Sequence, residues 1–453
     1  MNKIAALFCS IVLALLLLLP PDTQAYSWKD YKGLLERRYE EFEALGKWGN
    51  TAFPPKGMLA MKYQYAWVHA SERFDENGER TKAVPPLDIL GSELDFGLSG
   101  KGSGHKFQFF YGITNNIAVA LEIPIQELKP SFDIKFTPLS GIDGILIGNL
   151  LRRYYKGYEG VDQWDRPSMA DPDEDVALEA LWLTFEALGR PRPNLTVGDV
   201  NQEIGDISLA FAWNYRRTEN TSYATGFKVG FPTGKVADAD NSLTYALGPE
   251  IDVGLGSYSI EVGHIFDIRP PKPYRWFIIS VEAYANYYFK SKRDAPSTFT
   301  VPDPELQSVL DFLEPIMDLD DINSYFPDLS LLSGEIDYTP GAQLKWVLQF
   351  VPTLAWWFPF SFGVTGIYFD SSKAEGNVPE FQDLVDALGL VGKAHRYELW
   401  GKIQFGLFPL GIPATVSMGF NHYLAGENVL ILEDNYDFTC QVYVPWLFKI
   451  PGL

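Results

Sequence analysis

The chain has 453 residues, among them 24 Tyr, 31 Phe and 12 Trp, and its 37 Lys and Arg against 58 Asp and Glu leave a net charge of −21. That acidity argues against nucleic acid as a partner, since phosphate binding needs basic surface, and 2 cysteines exclude a disulfide framework. Mean hydropathy is near zero, and beyond the N-terminus no apolar run reaches the roughly 20 residues of a spanning helix.

Residues 1–25 read as a signal peptide: Lys3, the apolar run Ile11–Leu19, Pro20 and Pro21, then Thr23-Gln24-Ala25 before Tyr26. The run is shorter than a retained anchor requires. Residues 26–56 form a second unit, a periplasmic or plug helix, in which Trp28, Tyr31, Leu35, Phe42 and Leu45 recur at helical spacing within Ser27–Asn50. Capping a mouth, entering a lumen, lying on a membrane and plain packing all stay open for it.

Residues 57–453 are organised differently. In Asp206–Tyr215, Ile207, Leu209, Phe211, Trp213 and Tyr215 share one face, and Ser208, Ala210, Ala212 and Asn214 the other. The same period of two marks strands at Met58–His69, Lys106–Gly112, Ile117–Ile125, Tyr223–Phe231, Glu250–Phe266 and Phe277–Phe289. It continues at Ala342–Phe350, Phe360–Phe369, Tyr397–Leu407, Ala414–His422 and Tyr436–Phe448. Glu250–Phe266 changes phase between Leu255 and Tyr258. A bulge near Gly256-Ser257 keeps it one strand, whereas a tight turn there makes two; the bulge gives an even count of about twelve.

The connections alternate in length. Gly112–Asn116, Arg216–Ser222, Arg269–Arg275, Val351–Phe358 and Pro409–Pro413 are tight, while Glu72–Gly104, Lys129–Gly205, Pro232–Ala246, Lys290–Glu335, Ser371–His395 and Ala425–Asn435 are long. Helical patterns occupy Asp171–Leu188, Pro304–Met317 and Pro379–Leu390, and Gly141–Leu151 is an apolar stretch able to fold back into a mouth. The expected fold is all-β: a transmembrane antiparallel β-barrel of about twelve strands in an outer membrane. Its tight turns would be periplasmic, with helical insertions near 129–205, 290–335 and 371–395 in the outer loops.

With the small-residue face inward, Lys62, Glu122, Lys228, Glu282, Lys345, Glu398, Lys402 and Asp437 are the candidates for lining the lumen. Mutual pairing that fills space is the default role for mixed charges, and direct solute contact the sharper one. Phe110, Ile278, Tyr284, Trp400 and Tyr443 share that face, and about twelve strands enclose less than the roughly 16 to 18 of a water-filled porin. This favours a narrow, partly apolar route over a sieve.

Chemistry of other kinds is weakly marked. The nearest hydrolase constellation is Ser417 with His422, and the acidic run Asp318–Asn323 lacks the glycine and terminal glutamate of a calcium loop. No phosphate, dinucleotide, zinc or haem motif is present, so no enzyme activity, cofactor or metal is expected.

Four phrases carry a family resemblance: YGITNNIAVALEIPI (111–125), GDISLAFAWNY (205–215), ATGFKVGFPTGK (224–235) and LGPEIDVGLGSYSIEVGH (247–264). Their turn, Gly-Asp and Pro-Thr-Gly signatures resemble the outer-membrane barrel family labelled "MetA-pathway of phenol degradation". The resemblance implies a barrel of about this size that transports hydrophobic or aromatic small molecules, without established catalytic residues. The long insertion Lys129–Gly205 and the tail after Phe448 depart from it. The expected function is a channel or facilitator for small hydrophobic or amphiphilic solutes, seated in lipid and lipopolysaccharide. The alternative is a scaffolding barrel whose surface loops bind a protein partner.

Overall fold

The computed structural model describes residues 51, 53–75, 77–82, 87–89, 92–137, 200–235, 254–295, 334–355, 358–375, 393–407, 414–432 and 435–445. Twelve strands form its wall: β1 (Met58–Phe74), β2 (Ser92–Gly112), β3 (Ile117–Thr137), β4 (Ile207–Arg217), β5 (Thr221–Phe231) and β6 (Ser259–Ile268), then β7 (Phe277–Tyr288), β8 (Gln343–Ala355), β9 (Phe358–Phe369), β10 (Ala394–Gly406), β11 (Ala414–Glu427) and β12 (Asn435–Pro445). Each pairs antiparallel with its neighbours in sequence, and β12 pairs with β1 from Met58↔Pro445 to Trp67↔Tyr436. The sheet is therefore a closed barrel, and closure satisfies the backbone groups that an open edge would leave bare in lipid.

The alternation of side chains sets its two faces. Leu209, Phe211 and Trp213 on β4 are 50%, 42% and 46% exposed, while Ser208 and Asn214 are 6% and 2% exposed. Outward apolar rows recur at Leu344, Trp346 and Leu348 on β8 and at Leu399, Ile403 and Phe405 on β10. Such a face suits lipid and would be a liability in water. The outer wall of β1–β3 differs: Tyr63 and Phe107 are buried against Tyr65, Phe109, Ile123 and Ile125, and the Tyr63 hydroxyl meets His105 Nδ1 at 2.9 Å.

Two expectations are corrected here. β2 and β3 each run 21 residues, about twice the roughly ten that cross a bilayer. Their ladder extends from Gly112↔Ala118 to Glu93↔Thr137. Much of the loop expected at Glu72–Gly104, and the start of the one at Lys129–Gly205, is therefore strand. The apolar alternation continues there at Leu94, Phe96 and Leu98, in register with Phe136, Ile134 and Phe132, across and beyond the glycine-rich stretch 97–104 that reads as loop. The long connection after β7 is also bounded by strand: Ser291–Ala295, Gly334–Thr339 and Lys373–Glu375 form a separate three-stranded antiparallel sheet. The helical patterns at 141–151, 171–188, 304–317 and 379–390 lie outside the described residues, as do 1–50.

The second correction concerns Glu250–Phe266. β6 begins at Ser259, and Gly256 holds φ 63, a conformation suited to glycine. The change of phase is a break in the chain path, not a bulge within one strand, and the count of twelve stands without it. Residues 250–253 lie outside the described residues. Upstream of the break, the Gly-Asp and Pro-Thr-Gly phrases tie together. Asp206 accepts the amides of Gly234 and Leu255, each at 2.9 Å, and the Thr233 hydroxyl donates to Gly205 O and accepts from Ile207 N, each at 2.9 Å. These motif residues knot the connection ends of β4, β5 and β6.

Candidate functional site

All eight sequence-derived candidates alternate with the exposed apolar residues of their strands and so lie on the inner wall. Lys62 is on β1, Glu122 on β3, Lys228 on β5, Glu282 on β7, Lys345 on β8, Glu398 and Lys402 on β10, and Asp437 on β12. Glu282 and Glu398 are buried. The structure adds three partners to this belt, Lys106 on β2, Glu261 on β6 and Arg396 on β10. Lys106 and Glu261 share the inward phase of their strands and were legible. Arg396 precedes the strand start expected at Tyr397.

Most of the belt is paired. Glu122 receives Lys106 Nζ at 3.5 Å and Gln108 Nε2 at 2.5 Å. Lys228 pairs with Glu261 at 3.2 Å, and Arg396 with Glu398 at 2.7 Å. Glu282 accepts the Tyr284 hydroxyl at 2.6 Å, and Asp437 the Thr439 hydroxyl at 3.2 Å. Lys345 Nζ lies 5.9 Å from the centre of the Tyr284 ring, the outer range of a cation–π contact. Lys345 also feels the charge of Lys106, although β8 and β2 stand six strands apart on a ring of twelve. The bore is thus narrow enough at this level for charges on opposite walls to act on one another. Lys62 lies in the combined field of Lys402, Lys106, Glu122 and Asp437.

Glycines shape the wall beside these charges. A Cβ at Gly263 would collide with the ring of Tyr284, and one at Gly363 would lie 2.8 Å from Trp400 Cζ2. The Tyr284 and Trp400 rings therefore lie flat over neighbouring strands instead of projecting toward the axis. Gly419 sits between Lys402 and Asp437 in one cross-strand row. A Cβ there would overlap Asp437 Oδ1, so the carboxylate leans over β11 toward Lys402.

A different arrangement fills the tight-turn end. Thr51, completely buried, donates its amide to Asp267 Oδ2 at 3.0 Å and its hydroxyl to the same oxygen at 2.6 Å. Ser280 donates to Asp267 Oδ1 at 2.6 Å, Asn214 Nδ2 donates to Ser222 Oγ at 2.7 Å and to Thr51 O at 3.2 Å, and Arg217 reaches Thr51 O at 3.2 Å. From this anchor on β4–β7 the chain returns to β1, where Gly57 N donates to Gly112 O at 2.7 Å. Thr51 is thus held at the β5–β6 wall and Gly57 at β1–β2. Near that landing, Met58, Ala60 and Tyr443 form a buried inner cluster with Phe110.

Comparison with solved structures follows from this geometry. A COG4313 outer membrane channel from Pseudomonas putida F1 superposes with a TM-score of 0.50 at 10% identity, covering 87% of this chain and 98% of that one. The fold is the outer-membrane β-barrel fold. Weaker likenesses include the translocator domain of the autotransporter NalP from Neisseria meningitidis, with a TM-score of 0.35 at 7% identity over 90% of this chain and 95% of that one. CymD, a monoaromatic hydrocarbon channel, gives a TM-score of 0.31 at 9% identity over 86% of this chain and 88% of that one. No family model matches the chain. No curated protein matches it either. The phenol-degradation family label therefore rests on the quoted motifs alone.

The remaining candidates do not assemble. Ser417 is buried on the inner face of β11, whereas His422 is exposed on the outer face opposite Leu399, so they form no dyad. The Asp318–Asn323 run lies outside the described residues, and among the described residues no cluster of His, Cys, Asp and Glu has metal-site geometry.

Proposed function

We propose that this barrel is an outer-membrane channel that passes small hydrophobic or amphiphilic solutes. The closed wall with an apolar outer face supports residence in lipid, as does the outer-membrane barrel fold. Tight turns at one end and long connections at the other follow the arrangement of such barrels, with the turns periplasmic. The observation that carries the reading is the inner wall, where the Tyr284 and Trp400 rings lie over glycines beside a belt of charge. Flattened aromatic surface gives an apolar body a track, and the charges give a polar head somewhere to rest. Twelve strands leave a narrower bore than a general porin has, which fits a route for one class of solute.

The test is swelling of proteoliposomes containing the refolded protein, with phenyl glucoside as a neutral amphiphile that lipid alone excludes. Swelling well above that of empty liposomes is expected. A folded, inserted barrel that admits none of the probe would overturn the reading.

A further inference from the structure

The belt is asymmetric in a way that goes beyond a mixed charge count. Each of its carboxylates already has a neighbouring partner: Glu122, Glu261 and Glu398 are ion-paired with cations, and Glu282 and Asp437 accept from hydroxyl groups. Three ammonium groups, Lys62, Lys345 and Lys402, make no ion pair among the described residues. An ammonium in a narrow, partly apolar bore that has carboxylates nearby but none in ion-pair contact keeps part of its charge unmet, and a passing anion relieves it.

Apolar surface accompanies each of them. Trp400 stands next to Lys402 on the inner face of β10, and Tyr284 lies beneath Lys345. Lys62 follows Ala60 on the inner face of β1, beside the cluster formed with Tyr443 and Phe110. Three such stations, each weak, suit conduction, which needs binding strong enough to admit a solute and weak enough to release it.

We propose that Lys62, Lys345 and Lys402 form an anion relay that selects amphiphilic monoanions, an apolar body carrying one carboxylate or sulfonate, over cations and neutral molecules of similar size. This rests on the channel reading above.

The test compares proteoliposome uptake of benzenesulfonate, benzyltrimethylammonium and phenyl glucoside, the first two bearing permanent charge. Benzenesulfonate is expected to enter about tenfold faster than benzyltrimethylammonium, the discrimination that a close charge contact of modest strength provides. Replacement by Lys62→Gln, Lys345→Gln and Lys402→Gln together should bring that ratio to about one, and the three Lys→Arg replacements should retain it. Equal uptake of both charged probes by the unaltered protein refutes the relay and leaves the channel standing. If none of the three enters, both readings fall. Should the glutamine variant not insert, the reversal potential of the unaltered protein in a sodium benzenesulfonate gradient decides: an anion-favouring sign supports the relay, and a cation-favouring one overturns it.

Discussion

Two stretches of the inner wall bury polar groups for opposite ends. At the turn end, Asp267 is completely buried and receives the Thr51 amide, the Thr51 hydroxyl and the Ser280 hydroxyl. At mid-height, Lys62, Lys345 and Lys402 have no ion pair among the described residues although carboxylates line the same belt. A buried polar network with its bonds satisfied holds a structure together, whereas one left short of partners has capacity for something that arrives. The first should govern stability and leave selectivity alone. The second should do the reverse.

The sharpest way to break this contrast is Asp267→Ala. It strands several buried donors at once, and we expect a loss of about 3 kcal/mol or more, read as a lower urea midpoint in lipid vesicles. The anion-to-cation preference of whatever protein still inserts should not change. If the preference changes instead, the turn-end cluster belongs to the solute path.

A smaller effect is expected of Gly263→Ala. The new methyl group pushes the Tyr284 ring off its strand and into the lumen, at a cost of about 1 to 3 kcal/mol from overpacking. Single-channel conductance should fall, and unchanged conductance would show that the ring does not border the route. Lys402→Met sharpens the contrast from the other side. Removing an unpaired ammonium should leave stability unchanged or raise it by up to about 1 kcal/mol, while anion preference declines; a clear drop in the unfolding midpoint would make Lys402 a structural residue.

The smallest expectation lies between two tight turns, where Arg275 pairs with Glu219. The hydrogen bond from the guanidinium holds the Glu219 carboxyl below its usual range. Its contribution is present above the ordinary carboxylate pKa and is lost as pH falls through the lowered value. The carboxylate is solvent-exposed, so water screens the pair and Glu219→Gln should give the parent's urea midpoint at neutral pH.

The strands were legible because lipid on one side and a lumen on the other impose a period of two, as at Leu209, Phe211 and Trp213. The same reasoning stopped short in one place. The upper parts of β2 and β3 keep a period of two, at Leu94, Phe96 and Leu98 and at Phe132, Ile134 and Phe136, but GLSGKGSG at 97–104 and Pro130 interrupt it and made them read as loop. The break at Gly256 left a change of phase in the sequence but not its geometry. The inner-wall candidates could be named from phase alone, but not their pairing, which depends on register between strands: Glu261 meets Lys228 only because β5 and β6 align those two residues. Thr51 gave no signal, since it joins the wall through tertiary contacts with residues more than 150 positions away. The Gly-Asp and Pro-Thr-Gly phrases, which suggested a transporter family, proved to be a structural knot around Asp206.

The central claim is that the barrel encloses a usable route past the lysine belt. Planar-bilayer recording of the refolded protein, with bilayers at a fixed salt gradient, tests it most directly. The expected result is discrete conductance steps with a reversal potential on the anion-selective side. A protein that is folded and inserted yet produces no steps under any applied potential would contradict the account.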